Sequence, residues 1–161
     1  MYDESLLILL NMISTIGILL TVILMYWQIR KNSLFAKANF IIELFMRFYR
    51  DDWIREAFYS IEYERFTYDG SFHGSEIEKK IDYMLGYLDL LGILVKSQVI
   101  DLDSIKPLYY EIYIIYNNNE IRKYIKFLRK WYKYIGIEQE PFEGFQYVGR
   151  EIKNIYNTFS K

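Results

Sequence analysis

Cysteine is absent from these 161 residues, and histidine occurs once, at His73. Without thiols there is no disulfide framework, no Cys-ligated zinc and no thiol chemistry. Two prolines and eight glycines are too few for long linkers or for an architecture of many tight turns. A dominant charge sign is also lacking: 20 Lys and Arg stand against 21 Asp and Glu. Domains that hold nucleic acid by bulk electrostatics are strongly basic, so nucleic acid is not an expected partner. No nucleophile elbow, phosphate-cradling glycine loop or dinucleotide fingerprint is present. The chain is therefore read as a non-enzyme, with no catalytic residue, cofactor or metal expected.

Apolar residues are plentiful, and they are concentrated at the start. Leu6 to Trp27 is a run of 22 residues without a charge. As an α-helix at 1.5 Å per residue it would be about 33 Å long, matching a hydrocarbon core of about 30 Å. Thirteen of the 22 are Leu, Ile or Val, each favouring the bilayer by roughly 0.3–0.6 kcal/mol. Tyr26 and Trp27 close the run where amphipathic rings prefer the headgroup level. A cleaved signal peptide needs a basic start, a shorter apolar stretch and small residues before the cut; here the start carries Asp3 and Glu4. Arg30, Lys31 and Lys37 follow the run, so the positive-inside rule puts the N-terminus outside and the remainder in the cytoplasm, at the cell inner membrane. Within the span Asn11, Ser14, Gly17 and Thr21 share one helical face. Such a stripe lets spans approach closely and hydrogen-bond, which points to self-association as a homo-oligomer or to pairing with another span; the competing reading is that lipid merely tolerates these residues.

The expected architecture is all-α, with an anchor over residues 1–31 and a helical domain of about five helices over 32–161. Phe35, Ala38, Ile41, Ile42, Phe45, Phe48 and Tyr49 recur at helical spacing. That helix either runs on from the span or breaks near Asn32-Ser33. A second helix is expected over 52–66, with Trp53, Ile54, Ala57, Phe58 and Ile61 inward. A loop from Thr67 to Gly74 follows. Ser75 and Glu78 then form a capping-box pattern before a third helix reaching Ser97. Its Ile77, Ile81, Met84, Leu85, Leu88, Leu91, Leu94 and Val95 are the best core candidates, and close packing would account for Gly86 and Gly92. Asp103 or Ser104 can cap a fourth helix that carries Pro107 in its first turn. A fifth is expected over 119–135, stopping at Gly136, and a last over 145–159.

On the fifth helix Arg122, Lys126, Arg129 and Lys133 fall on one face by i, i+4 and i+3 spacing. This face could touch the anionic headgroups of the lipid bilayer or hold a phosphate-bearing ligand; the plainer reading is a solvated face balanced by nearby acids. Asp101-x-Asp103 has too few oxygen groups for a calcium loop. His73 has no orienting partner evident in sequence and reads as a surface residue. Glu56, Glu62, Glu64 and Asp89 could pair for acid–base work, though helix faces carry such residues routinely. The abundance of Tyr and Phe (17 and 11) fits either codon bias or an interaction surface.

Three stretches carry a resemblance: Leu88 to Lys96 (LDLLGILVK), Val99 to Asp103 (VIDLD) and Asn119 to Ile125 (NEIRKYI). With the N-terminal run and Arg55-Glu56-Ala57, they resemble an uncharacterised family of small bacterial single-span membrane proteins with a helical cytoplasmic tail. The resemblance implies architecture and no catalytic residues. The leading functional expectation is a membrane-anchored interaction module that self-associates and recruits or senses a cytoplasmic protein. The alternative is a membrane effector of bacterial stress or phage defence, whose tail binds an anionic signal and rearranges the spans.

Overall fold

A computed structural model describes residues 4–159, and among them the chain is all-α: six α-helices, one 3₁₀ segment and no strand. The helices are α1 (Glu4–Arg50), α2 (Asp52–Glu62), α3 (Glu76–Lys96), α4 (Tyr109–Asn117), α5 (Asn119–Tyr134) and α6 (Glu143–Phe159), with the 3₁₀ segment at Leu102–Leu108. One long apolar N-terminal helix followed by a five-helix bundle is the expected architecture. Two compact units divide after Glu43, within the helix that follows the expected anchor. Asp3 and the side chain of Glu4, which entered the orientation argument, lie outside the described residues.

In the first unit α1 passes Asn32-Ser33 without a break. No proline or glycine interrupts its hydrogen-bond ladder there. It is the one described helix long and apolar enough to cross a membrane, and none of its most apolar window is buried within the chain. The hydroxyls of Thr15 and Thr21 donate to the Asn11 and Gly17 carbonyls at 2.8 Å, so their polarity is satisfied inside the helix. Phe35, Ala38 and Ile42 are exposed. The inward stripe expected from Phe35 onward is confined in the second unit to Phe48, with Leu44 and Phe45 half-buried.

The second unit is organised on α3. Ile81, Met84, Leu85, Leu88 and Leu91 are fully buried, and α3 packs chiefly against α6 and α2. The α2 helix starts where Asp51 Oδ1 accepts from the Trp53 and Ile54 N–H groups, and it buries Ile54, Ala57, Phe58 and Ile61. It ends at Glu62 rather than 66: Glu64 is left-handed (φ +55°), and the N–H groups of Arg65 and Phe66 both turn back to the Ser60 carbonyl. Trp53 lies exposed, edge-on to Tyr83.

The capping box at Ser75 is half formed. Ser75 Oγ accepts from the Glu78 N–H at 3.2 Å, but the Glu78 carboxylate reaches Gly74 N–H and His73 instead of the Ser75 N–H. Neither Asp103 nor Ser104 caps α4. The Ser104 N–H donates to the Asp101 carbonyl, and Pro107 sits inside the 3₁₀ segment that delays the α-helix to Tyr109. Asn118 Oδ1 caps α5 through the Glu120 and Ile121 N–H groups. Gly136 (φ +79°) follows its end, a left-handed position glycine takes without Cβ strain.

Of the two α3 glycines, only Gly92 answers to close packing. A Cβ there would lie 2.0 Å from the Gly144 carbonyl oxygen, and one on Gly144 would lie 2.3 Å from the Asp89 carbonyl oxygen. Gly86 has nothing within 4 Å. The bare approach at Gly92 lets Asp89, on α3, cap a helix that is not its own: its Oδ1 accepts from the N–H groups of Gly144 (2.7 Å) and Phe145 (3.2 Å).

Candidate functional site

Four basic residues of α5 are exposed and line two adjoining cavities that share Arg129. Arg122, Lys126 and Arg129 line an open cavity of about 300 Å³ together with Tyr116, Ile125, Phe145 and Gln146. Lys133 instead lines a neighbouring cavity with Arg129, Gly136, Ile137, Glu138 and Glu140. The register explains the split. Ile121, Tyr124 and Ile125 are buried, which turns the 122–126–129 edge toward α6, whereas the last turn of α5 is followed by the acidic loop after Gly136.

The two guanidinium groups each make two hydrogen bonds within the chain. Arg122 donates from Nε to the Tyr116 carbonyl (3.1 Å) and from Nη2 to Asn117 Oδ1 (3.0 Å), and it lies 5.7 Å from the Tyr116 ring centroid. Arg129 donates from Nε to Glu140 (2.7 Å) and from Nη2 to Gln146 Oε1 (3.2 Å). Gln146 is held in turn by the Pro141 carbonyl. Lys126 has no hydrogen-bond or ion-pair partner among the described residues. The aromatic floor is tightly set, because a Cβ on Gly149 would meet the Tyr116 ring at 2.3 Å.

A second polar cluster centres on His73, which the sequence reading left without a partner. Its Nδ1 lies 2.8 Å from Glu78 Oε1, its Nε2 lies 3.1 Å from the Tyr68 hydroxyl, and its ring meets Phe127 at 4.5 Å between centroids. The Tyr68 N–H donates to Glu120 Oε2, and burial raises the Tyr68 phenol above its ordinary value. A phenol that holds its proton is a poor nucleophile. What this arrangement does is tie the 67–74 loop to α3 and α5.

Nearby, the Tyr124 hydroxyl donates to Asp82 Oδ1 at 2.6 Å. Lost hydration chiefly raises Asp82, and the phenol's hydrogen bond opposes that rise. Tyr124 is itself raised, first by burial and then by the bond to Asp82. Tyr124→Phe is expected to cost about 1 kcal/mol, the net worth of one hydrogen bond, and to move Asp82 further up; denaturant titration and an NMR titration of the Asp82 carboxyl check the two. The folded chain holds this proton more tightly than the unfolded chain. The carboxyl's contribution to stability therefore falls as pH rises past the ordinary aspartate value, and the Phe variant steepens that fall.

Of the other four candidate carboxylates, Glu64 is exposed and three have structural employment. Glu56 pairs with Lys80, Glu62 accepts from the Tyr110 hydroxyl at 2.9 Å, and Asp89 caps α6. No group of three or more metal-ligating side chains occurs among the described residues. Sequence reasoning passed over Glu111, a charge set in the apolar run LYYEIYIIY. It is buried, with Oε1 accepting from the Tyr49 hydroxyl (3.0 Å) and Oε2 without a partner. Its signal was that single acid within a run of Tyr and Ile. Compared with protein-family models, with curated proteins and with solved structures, the chain has no match in any of the three.

Proposed function

We propose that this chain is a membrane-anchored, non-enzymatic interaction module of a bacterial inner membrane. In this reading α1 crosses the bilayer with the N-terminus outside. Copies associate through the face of Asn11, Ser14, Gly17 and Thr21, and the bundle recruits or senses a protein in the cytoplasm. The observation that carries it is the apolar run of α1, whose most apolar window none of the described residues buries. Lipid removes that surface from water, whereas a soluble fold would have buried it.

Within the stripe, the Thr21 hydroxyl is already bonded to Gly17, while the Asn11 amide has no side-chain hydrogen bond among the described residues. An unpaired amide in lipid gains about 0.6–2 kcal/mol from a partner on another span, and a second copy supplies one. Light scattering of the full-length protein in mild detergent is expected to give more than one copy, and Asn11→Leu to give fewer. A wild-type monomer in detergent rejects self-association.

The alternative, an effector whose tail binds an anionic signal and rearranges the spans, is favoured by one observation, the three-cation cavity between α5 and α6. Overexpression that depolarises cells, with the effect lost in Asn11→Leu, selects it over the passive module.

A further inference from the structure

We infer that the cavity formed by Arg122, Lys126 and Arg129 is a binding site for a phosphomonoester dianion. This deepens the reading of the tail as a sensor of an anionic signal and rests on it for the use of the ligand, not for its binding.

Charge comes first. Three cations face the cavity, and one carboxylate, Glu140, sits against them on Arg129. The local excess is two positive charges, which a carboxylate monoanion would half neutralise and a phosphomonoester would match. Donor supply agrees. Each guanidinium carries five N–H donors, of which Arg122 and Arg129 each spend two inside the chain. The Lys126 ammonium, with three, spends none that the structure records. Three terminal phosphate oxygens are the acceptors that absorb so many donors, and arginine's planar fork suits them.

Geometry adds preorganisation. The Arg122 side chain is held by the Tyr116 carbonyl, the Asn117 amide and the Tyr116 ring, and Arg129 by Glu140 and Gln146. For these two exposed arginines, part of the side-chain freedom is already spent before binding, whereas Lys126 is ordered only by the ligand. The volume lies at the small end of the range for ligand sites. Tyr116, Ile125 and Phe145 give the floor an apolar part against which the organic portion of a small ester can lie. The chemistry is shared by two sources, a soluble phosphorylated metabolite and a lipid headgroup ending in a phosphomonoester.

Full-length protein in phosphatidylcholine nanodiscs, titrated calorimetrically with glycerol 3-phosphate, tests the site. Saturable binding is expected, weakened about tenfold by Lys126→Gln, the loss of one charge-assisted hydrogen bond. Lys133→Gln, in the adjoining cavity, is expected to leave it unchanged. Lys126 has no recorded partner to lose, and matched thermal unfolding of the variant excludes misfolding. The titration is repeated in nanodiscs containing phosphatidic acid. Retained affinity assigns the soluble source, and suppressed affinity assigns the headgroup. The proposal is overturned by the absence of saturable binding at millimolar ligand, by equal weakening in Lys133→Gln, or by acetate binding as tightly. None of these results bears on copy number, so failure of the site and failure of the anchored, self-associating reading are read out separately.

Discussion

Gly92→Ala is expected to destabilise the bundle by about 3 kcal/mol or more, at or beyond the top of the usual range for overpacking. The new methyl carbon would lie 2.0 Å from the Gly144 carbonyl oxygen and 2.1 Å from its carbonyl carbon. Both are backbone atoms, so no rotamer change relieves the clash, and α3 and α6 must part. Parting them withdraws Asp89 from the N–H groups of Gly144 and Phe145, and loss of a cap adds about 0.5–2 kcal/mol. It also loosens Phe145, Val148 and Ile152, which are fully buried. Gly86→Ala is the matched control on the same helix. Nothing lies within 4 Å of its Cβ position, so the helix-propensity gain of up to about 1 kcal/mol should appear as stabilisation. Chemical denaturation followed by near-ultraviolet circular dichroism measures both, since most of the tyrosines and two of the three tryptophans lie in the bundle after α1. A Gly92→Ala midpoint equal to wild type would show that the two backbones are not in contact.

The contrast between these glycines marks where sequence reasoning stops. Periodicity located the helices of the bundle because they bury residues at three- and four-residue spacing, and Ile81, Met84, Leu85, Leu88 and Leu91 are buried as that spacing requires; α1 was legible instead from its uncharged length. The same pattern includes Gly86 and Gly92 without saying which one a neighbour touches, because that depends on the partner helix and its crossing point. Helix ends depended on similarly distant information. Asn118 capped α5 from within its own sequence, whereas the cap of α6 comes from Asp89 on another helix, and the start of α4 yielded to a 3₁₀ segment. In the candidate site, helical spacing alone put Lys133 with Arg122, Lys126 and Arg129. Only the position of α6 and of the loop after Gly136 divides the four between two cavities. For His73 the outcome was the reverse: Tyr68 and Glu78 flank it at five residues on either side, close enough in sequence to notice, but the loop fold that joins them has no periodic signature.

Two arginines in the middle of the apolar run of α1 are expected to abolish the proposed membrane insertion. The thirteen Leu, Ile and Val residues of the apolar run together favour insertion by about 4–8 kcal/mol, and each arginine near the centre of a span costs about 2.5–3.5 kcal/mol. Ile16→Arg with Leu20→Arg also forfeits two apolar contributions, so at mid-range values the balance turns against the bilayer by about 1 kcal/mol. Ile16 and Leu20 are four residues apart on one face and exposed within the chain, so the substitutions disturb no packing in the bundle. Wild-type protein should float with membranes on a density gradient and resist carbonate extraction, and the double variant should not. Wild type that fails to float, or a double variant that floats as well as wild type, contradicts the anchored reading. Orientation follows from the same preparation, because a chain without cysteine gives one unambiguous label site after Thr158→Cys. The proposed cytoplasmic tail requires that an impermeant maleimide react there only once the inner membrane is opened, since the basic cluster of Arg30, Lys31 and Lys37 resists translocation while the opposite flank does not.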